Sequence, residues 1–68
     1  MVEIFKQRLS EEIKQNNLTT KQLADMVGVS PEMITQYCTT KKLPSLETFE
    51  KLCKALSVSA DYLLGLED

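Results

Sequence analysis

The chain has 68 residues, of which 43% are hydrophobic and 26% charged, and it contains two glycines and two prolines. This length predicts a single domain over residues 1–68, and this composition is typical of a compact helical protein rather than a disordered tail. The net charge of −2 argues against a general nucleic-acid binder, which needs a strong basic excess. Residues 18–44, however, have a local net charge of +1, because they contain three lysines and two acids: Lys21, Lys41, Lys42, Asp25 and Glu32.

The sequence gives no indication of a membrane or an exported protein. No apolar run approaches the roughly 18 residues of a membrane span, and residues 1–6 lack the pattern of a secretory signal. We therefore expect a cytoplasmic protein with no membrane partner. Cys38 and Cys53 could in principle pair, but cytosolic thiols stay reduced, and we interpret both as small packing residues.

Two amphipathic helices are predicted in the first 27 residues. Phe5, Leu9 and Ile13 recur at i, i+4 and i+8, which predicts a first helix that ends near residues 16–17. Thr19 followed three residues later by Gln22 is a capping-box pattern, so a second helix should begin there and run to about residue 27.

A sharp turn and a third helix follow. Gly28 can take a positive φ just past the second helix, and Ser30 with Pro31 is a typical helix start. Ile34 and Tyr37 would form the inner face of this third helix, which should end near residue 39. Residues 20–39 therefore predict a helix-turn-helix, whose second helix can enter the major groove of DNA if its outer face is polar.

The rest of the chain predicts two more helices, giving an all-α, compact five-helix domain. Pro44 prevents the preceding residue from being helical, and Ser45 is the expected cap of the fourth helix. The apolar stripe of that helix is Leu46, Phe49, Leu52, Cys53 and Leu56. Ser59 would cap a short fifth helix, with Tyr62 and Leu63 facing inward and Gly65 at its end.

The outer face of the third helix is the candidate site. Glu32, Thr35, Gln36 and Thr39 form one polar stripe opposite the inner face. Gln36 can donate to and accept from the N6 and N7 atoms of adenine, and Glu32 can accept from N4 of cytosine. The alternative is a solvated surface, in which Glu32 only favours the helix dipole. Met33 lies between the faces, where it would touch a thymine methyl or fill a gap.

The chain resembles the lambda-repressor-like helix-turn-helix family, the Cro and XRE-type regulators of bacteria and phages. The residues that carry this resemblance are Leu18 to Ala24, Val27 to Ser30, Ile34, Tyr37, Lys41, Pro44 to Thr48 and Lys54 to Val58. The resemblance implies a five-helix domain that binds double-stranded DNA as a homodimer on an operator with two half-sites. It implies a regulator, here a transcriptional repressor, and no enzyme, metal or cofactor.

The resemblance also implies site residues. Base-contacting positions correspond to Pro31, Glu32 and Gln36, and phosphate-contacting positions correspond to Thr20, Lys21, Thr39, Thr40, Lys41 and Lys42. The chain departs from the family at four positions. Thr20 replaces the usual Gln, Cys38 replaces an acidic residue, Thr40 replaces the usual Gly, and Pro31 occupies a base-reading position without a side-chain hydrogen bond. Because positive φ strains a β-branched residue, the turn after the third helix is expected to have another shape.

Two further hypotheses concern partners. Tyr62, Leu64 and Leu66 crowd a short C-terminal segment, which indicates either a dimer contact or a satellite of the core. A protein-interaction or antitoxin-like module on the same fold is the alternative function, since the chain is acidic. The chain has no histidine, so catalysis and metal binding lack their usual residues, and no small-molecule ligand is expected.

Overall fold

A computed structural model describes residues 1–67 of the protein. These residues form five α-helices, as the sequence predicts, and include no strand. The helices are α1 (Val2–Gln15), α2 (Thr20–Val27), α3 (Pro31–Thr39), α4 (Leu46–Leu56) and α5 (Ala60–Leu64). None of the helices in this described part is long and apolar enough to span a membrane.

Local capping bonds explain why the helices begin where they do. The predicted capping box of α2 is present: the amide of Gln22 donates to Thr19 Oγ1 at 3.0 Å, and the Thr19 amide donates to Gln22 Oε1 at 2.8 Å. The hydroxyl oxygens of Ser30, Ser45 and Ser59 each accept from the amide three residues later. Each such cap satisfies a backbone donor that the first helical turn leaves without a partner.

Gly28 forms the turn between α2 and α3. Its φ is +78°, and its amide donates to the Ala24 carbonyl at 2.8 Å. A Cβ at this position would meet no atom within 4 Å, so glycine is needed for the backbone conformation and not for space. Residues 28–30 thereby redirect the chain from α2 into α3.

All five helices surround one hydrophobic core. Its buried residues are Phe5, Leu9, Leu23, Ala24, Val27, Ile34, Tyr37, Leu52, Leu56 and Leu63. Within it α2 packs on α3 and on α4, while α1 contacts α3 and α5. Phe49 is half-buried, and its ring centroid lies 6.0 Å from that of Phe5. The core thus joins the two helices of the helix-turn-helix to the rest of the domain.

One predicted core position is wrong. Leu46, which the apolar stripe of the fourth helix placed inward, is 86% exposed. Helical side chains cover the turn on the N-terminal side of their own Cα. Leu46 is the first residue of α4, so no preceding turn of α4 lies beneath its side chain.

Arg8 on α1 contacts α5 and the residues after it. Its guanidinium carbon lies 4.3 Å from the centroid of the Tyr62 ring, and Nη1 donates to the carbonyls of Tyr62, at 2.6 Å, and of Glu67. At the end of α5, Gly65 has a φ of +82°, and a Cβ there would lie 2.7 Å from Cγ2 of Ile4. The C-terminal turn therefore packs directly on α1.

Candidate nucleic-acid interface

The outer face of α3 is exposed at both ends of the helix. Ile34 and Tyr37 are 1% and 2% exposed and anchor the helix to the core. On the opposite side, the predicted base-contacting residues Pro31 and Glu32 are exposed, and Gln36 is half-buried. The structure therefore brings the three together on the first two turns of one helix.

Two polar side chains on this face, Glu32 and Gln36, are available to a ligand. Within residues 1–67, the side-chain amide of Gln36 makes no hydrogen bond and the Glu32 carboxylate forms no ion pair. The Gln36 carbonyl, in contrast, accepts from the Thr40 amide at 2.9 Å and from the Thr40 hydroxyl at 2.7 Å. The backbone at Gln36 is thus fixed while its side chain stays without a partner.

The N-terminus of α2 forms a second part of the candidate interface. Thr20 is half-buried and Lys21 is exposed at the start of the helix. Neither backbone amide donates a hydrogen bond within the part of the chain that the structure describes, whereas the Gln22 amide is used by the Thr19 cap. Two unpaired amides at the positive end of a helix dipole, beside a lysine, suit a phosphate group.

The turn after α3 has an extended shape. Thr40 has φ −124° and ψ −177°, so threonine is accommodated without positive φ, as the substitution for glycine predicts. Its hydroxyl donates to the Gln36 carbonyl and accepts from the Lys42 amide at 3.1 Å. The Thr39 hydroxyl likewise donates to the Thr35 carbonyl at 2.8 Å.

These bonds separate the predicted phosphate contacts into two kinds. A phosphate oxygen only accepts, and the hydroxyl protons of Thr39 and Thr40 are already bonded to carbonyls. Lys41 and Lys42 are exposed and carry ammonium donors. The turn therefore offers a phosphate two lysine side chains in its present geometry.

Charge is also distributed unevenly. The ion pairs of the described residues join Lys6 to Glu3, Lys51 to Glu47 and Lys54 to Glu50, and all lie on α1 and α4. Lys21, Lys41 and Lys42 belong to none of these pairs. The lysines at the start of α2 and after α3 therefore form no ion pair among residues 1–67, although the whole chain is acidic.

The structure also places residues that the sequence left open. Met33 is half-buried, and part of its side chain packs against the core. Thr35, predicted on the polar stripe but given no contact of its own, is exposed between Glu32 and Thr39. Only the helical spacing indicated Thr35, because a threonine on the surface of a helix does not by itself predict a functional role.

Cys38 and Cys53 are free, half-buried and packed against the core, as predicted. Burial raises the pKa of both thiols, and a hydrogen bond with Ser10 partly offsets that rise at Cys38. No three His, Cys, Asp or Glu side chains among residues 1–67 are grouped so that they could hold a metal ion.

An apolar groove lies beside the turn after α3. It has a volume of about 180 Å³ and is lined by Met1, Phe5, Leu43, Pro44, Leu46, Phe49 and Leu64. The predicted dimer residues are separated: Leu64 lines the groove, Leu66 is 72% exposed, and Tyr62 is half-buried under Arg8. The exposed apolar surface thus extends well beyond the C-terminal segment.

Comparison with known proteins defines the class. A family model described as helix-turn-helix matches residues 9–63. The chain therefore belongs to the helix-turn-helix family, of the Cro and XRE type that it resembles, and has the fold of its DNA-binding transcriptional regulators.

Two curated relatives are similar over most of the chain. An uncharacterized HTH-type transcriptional regulator, YobD of Bacillus subtilis, is 35% identical over 65 residues, which cover 96% of this chain and 58% of the relative. The cryptic phage CTXphi transcriptional repressor RstR of Vibrio cholerae is 37% identical over 61 residues, which cover 90% and 54%. The chain thus spans little more than half the length of these relatives.

Proposed function

We propose that this chain binds double-stranded DNA sequence-specifically and acts as a transcriptional repressor, with α3 in the major groove. The observation that carries the proposal is the outer face of α3, where the side chains of Glu32 and Gln36 have no hydrogen-bond or ion-pair partner among residues 1–67, while Ile34 and Tyr37 on the inner face are buried in the core. An α-helix fits a major groove about 12 Å wide. The similarity to a phage repressor supports the same function.

Base reading is assigned to the N-terminal half of α3. Gln36 forms two hydrogen bonds with an adenine, to N6 and N7, and Glu32 accepts a hydrogen bond from N4 of a cytosine. Pro31 has no side-chain donor or acceptor, so it contributes shape and apolar contact. The carboxylate of Glu32 also lies near phosphates, so it adds specificity at the expense of affinity.

Phosphate binding is assigned to two places that flank α3. Thr20, Lys21 and the free amides of α2 hold one phosphate, and Lys41 with Lys42 holds another. Thr39 and Thr40 lie near the same DNA strand as Lys41 and Lys42. Each threonine hydroxyl must first break its hydrogen bond to a backbone carbonyl before it can donate to a phosphate. These contacts fix the register of the domain on the duplex.

We also propose that two copies associate through the apolar groove. Leu43 and Pro44 of its wall follow Lys41 and Lys42 directly in the chain, so the groove lies close to the proposed phosphate contacts and leaves both copies able to reach one duplex. Two half-sites then fall about one helical turn, roughly 34 Å, apart. Leu64 takes part as a lining residue, with Leu66 and the covered Tyr62 at the margin.

The proposed association through the apolar groove is tested by measuring the oligomeric state. Leu46→Glu places a carboxylate in the exposed wall of the groove, and it should turn a dimer into a monomer in sedimentation equilibrium. Met26→Glu is the matched control, because Met26 is also exposed, at 55%, but does not line the groove. A dimer that persists in Leu46→Glu contradicts this interface.

The similarities also lead us to propose a bacterial or phage-encoded cytoplasmic protein without catalytic activity. The main experiment selects binding sites from a random DNA pool and then measures the binding constant K against salt. Released counterions make log K fall steeply with log salt, and loss of one phosphate-contacting lysine lowers the slope by about 1. Lys41→Ala should show that change, whereas Lys51→Ala, on α4 and paired with Glu47, should not.

The same measurement separates the alternative function. A protein-interaction module would yield no selected DNA site, and its complexes would respond weakly to salt. A flat salt dependence, or equal enrichment of all sequences, would contradict the proposed function.

A further inference from the structure

Thr35 lies on the exposed face of α3, four residues after Pro31 and one before Gln36. Its hydroxyl donates to the Pro31 carbonyl, with Oγ1 3.3 Å from that oxygen. Residues four apart are neighbours on a helix surface, so Thr35 and Pro31 form a row beside the row of Glu32 and Gln36. Both members of the Thr35 row are exposed.

The hydrogen bond decides what Thr35 offers to a ligand. A threonine has two γ groups, a hydroxyl and a methyl. The hydroxyl proton is bonded within the helix, so it is not available as a donor, and the methyl group remains as the apolar part of this exposed residue. The outer face of α3 therefore carries an apolar row as well as a polar one.

We propose that Thr35 is a further specificity-determining residue, whose γ-methyl packs against the C5-methyl group of a thymine. In the major groove, thymine is the base that presents a methyl group, so an apolar row there selects thymine. The selected half-site should then contain a thymine close to the adenine read by Gln36. This inference rests on the proposed DNA-binding function.

The test removes the two methyl groups separately. On the duplex selected from the random pool, each thymine of a half-site is replaced in turn by deoxyuridine, which lacks only the C5-methyl group. One replacement should weaken binding about fourfold, the factor that corresponds to ~0.8 kcal/mol for a buried methyl group.

Two variants identify the partner of that methyl group. Thr35→Ser keeps the hydroxyl without the methyl, and it should bind the thymine and deoxyuridine duplexes equally. Thr35→Val keeps a methyl without the hydroxyl, and it should still discriminate between them. Thermal unfolding of both variants checks that the domain stays folded, since the side chain is exposed.

Three results would overturn the inference while leaving the proposed function intact. They are a selected site in which no thymine is sensitive to deoxyuridine, a Thr35→Ser variant that still discriminates, and a Thr35→Val variant that does not. The second would assign the methyl contact to another residue, and the third would assign the discrimination to the hydroxyl. Failure to select any site would instead refute DNA binding itself.

Discussion

Gln36→Ala should lower both the affinity and the sequence preference of the domain. The Gln36 side-chain amide has no hydrogen-bond partner among residues 1–67, so no bond within these residues has to break before it contacts a base. Two hydrogen bonds to one adenine are each worth about 0.5–1.5 kcal/mol net, which gives about 1–3 kcal/mol in total. The expected loss on the selected site is therefore roughly 5-fold to 150-fold.

The fold should tolerate this change. The hydrogen bonds that tie Gln36 to the end of α3 involve its backbone carbonyl and Thr40, and alanine keeps that carbonyl. Alanine also has the highest helix propensity. A loss of binding can therefore be attributed to the missing amide.

Fluorescence anisotropy at fixed salt measures the effect on the selected duplex and on duplexes that carry each other base pair at the proposed adenine. The variant should bind all four with similar, reduced affinity. Gln7→Ala, an exposed glutamine on α1, is the matched control and should bind like the wild type. Equal weakening by Gln36→Ala on every sequence, with the preference intact, would refute base reading by this residue.

Three more predictions concern the scaffold. Gly28→Ala should lower the free energy of unfolding by about 1–2 kcal/mol in urea titrations, because only the positive φ opposes a Cβ there; an unchanged midpoint contradicts this. Arg8→Ala should speed amide hydrogen exchange in α5 relative to α2, because it removes the contacts with Tyr62. An equal change in the exchange rates of α5 and α2 would contradict the role of Arg8 in holding α5 on α1. Burial raises the pKa of the Cys38 and Cys53 thiols in the folded state. The free energy of unfolding should therefore keep its full value below the ordinary thiol pKa and fall as the pH rises through the raised pKa. This fall should be smaller in the Cys→Ala variants.

The helix boundaries were predictable because their causes are local. Thr19 with Gln22, and Ser30 with Pro31, fix the starts of α2 and α3 through bonds that span only three residues. The turn at Gly28 follows from the same short-range rules. The helix-turn-helix can therefore be predicted from residues 20–39 alone.

Contacts between distant residues were not predictable. Arg8 binds the carbonyl of Tyr62, 54 residues later, and nothing near Arg8 in the sequence indicates that partner. Leu46 was misplaced because helical periodicity describes a face but not the lack of a preceding turn at the helix start. The apolar groove combines side chains from both ends of the chain, so it appears only when the helices are assembled.

The roles of individual side chains on α3 were predictable in part. Spacing placed Glu32, Thr35 and Gln36 on one face, and the structure agrees. Spacing could not reveal which hydroxyls donate a hydrogen bond within the helix. The side-chain rotamers of Thr35, Thr39 and Thr40 decide whether each hydroxyl reaches a backbone carbonyl. Their contacts with DNA stay predictions.

The entry of α3 into the major groove is tested most directly by dimethyl sulfate interference on the selected duplex. This reagent methylates guanine N7 in the major groove and adenine N3 in the minor groove. Binding should be blocked by methylation at guanine N7 in two patches about one helical turn apart, with adenine N3 methylation between them tolerated. Interference confined to adenine N3, or none at all, would contradict the placement of α3.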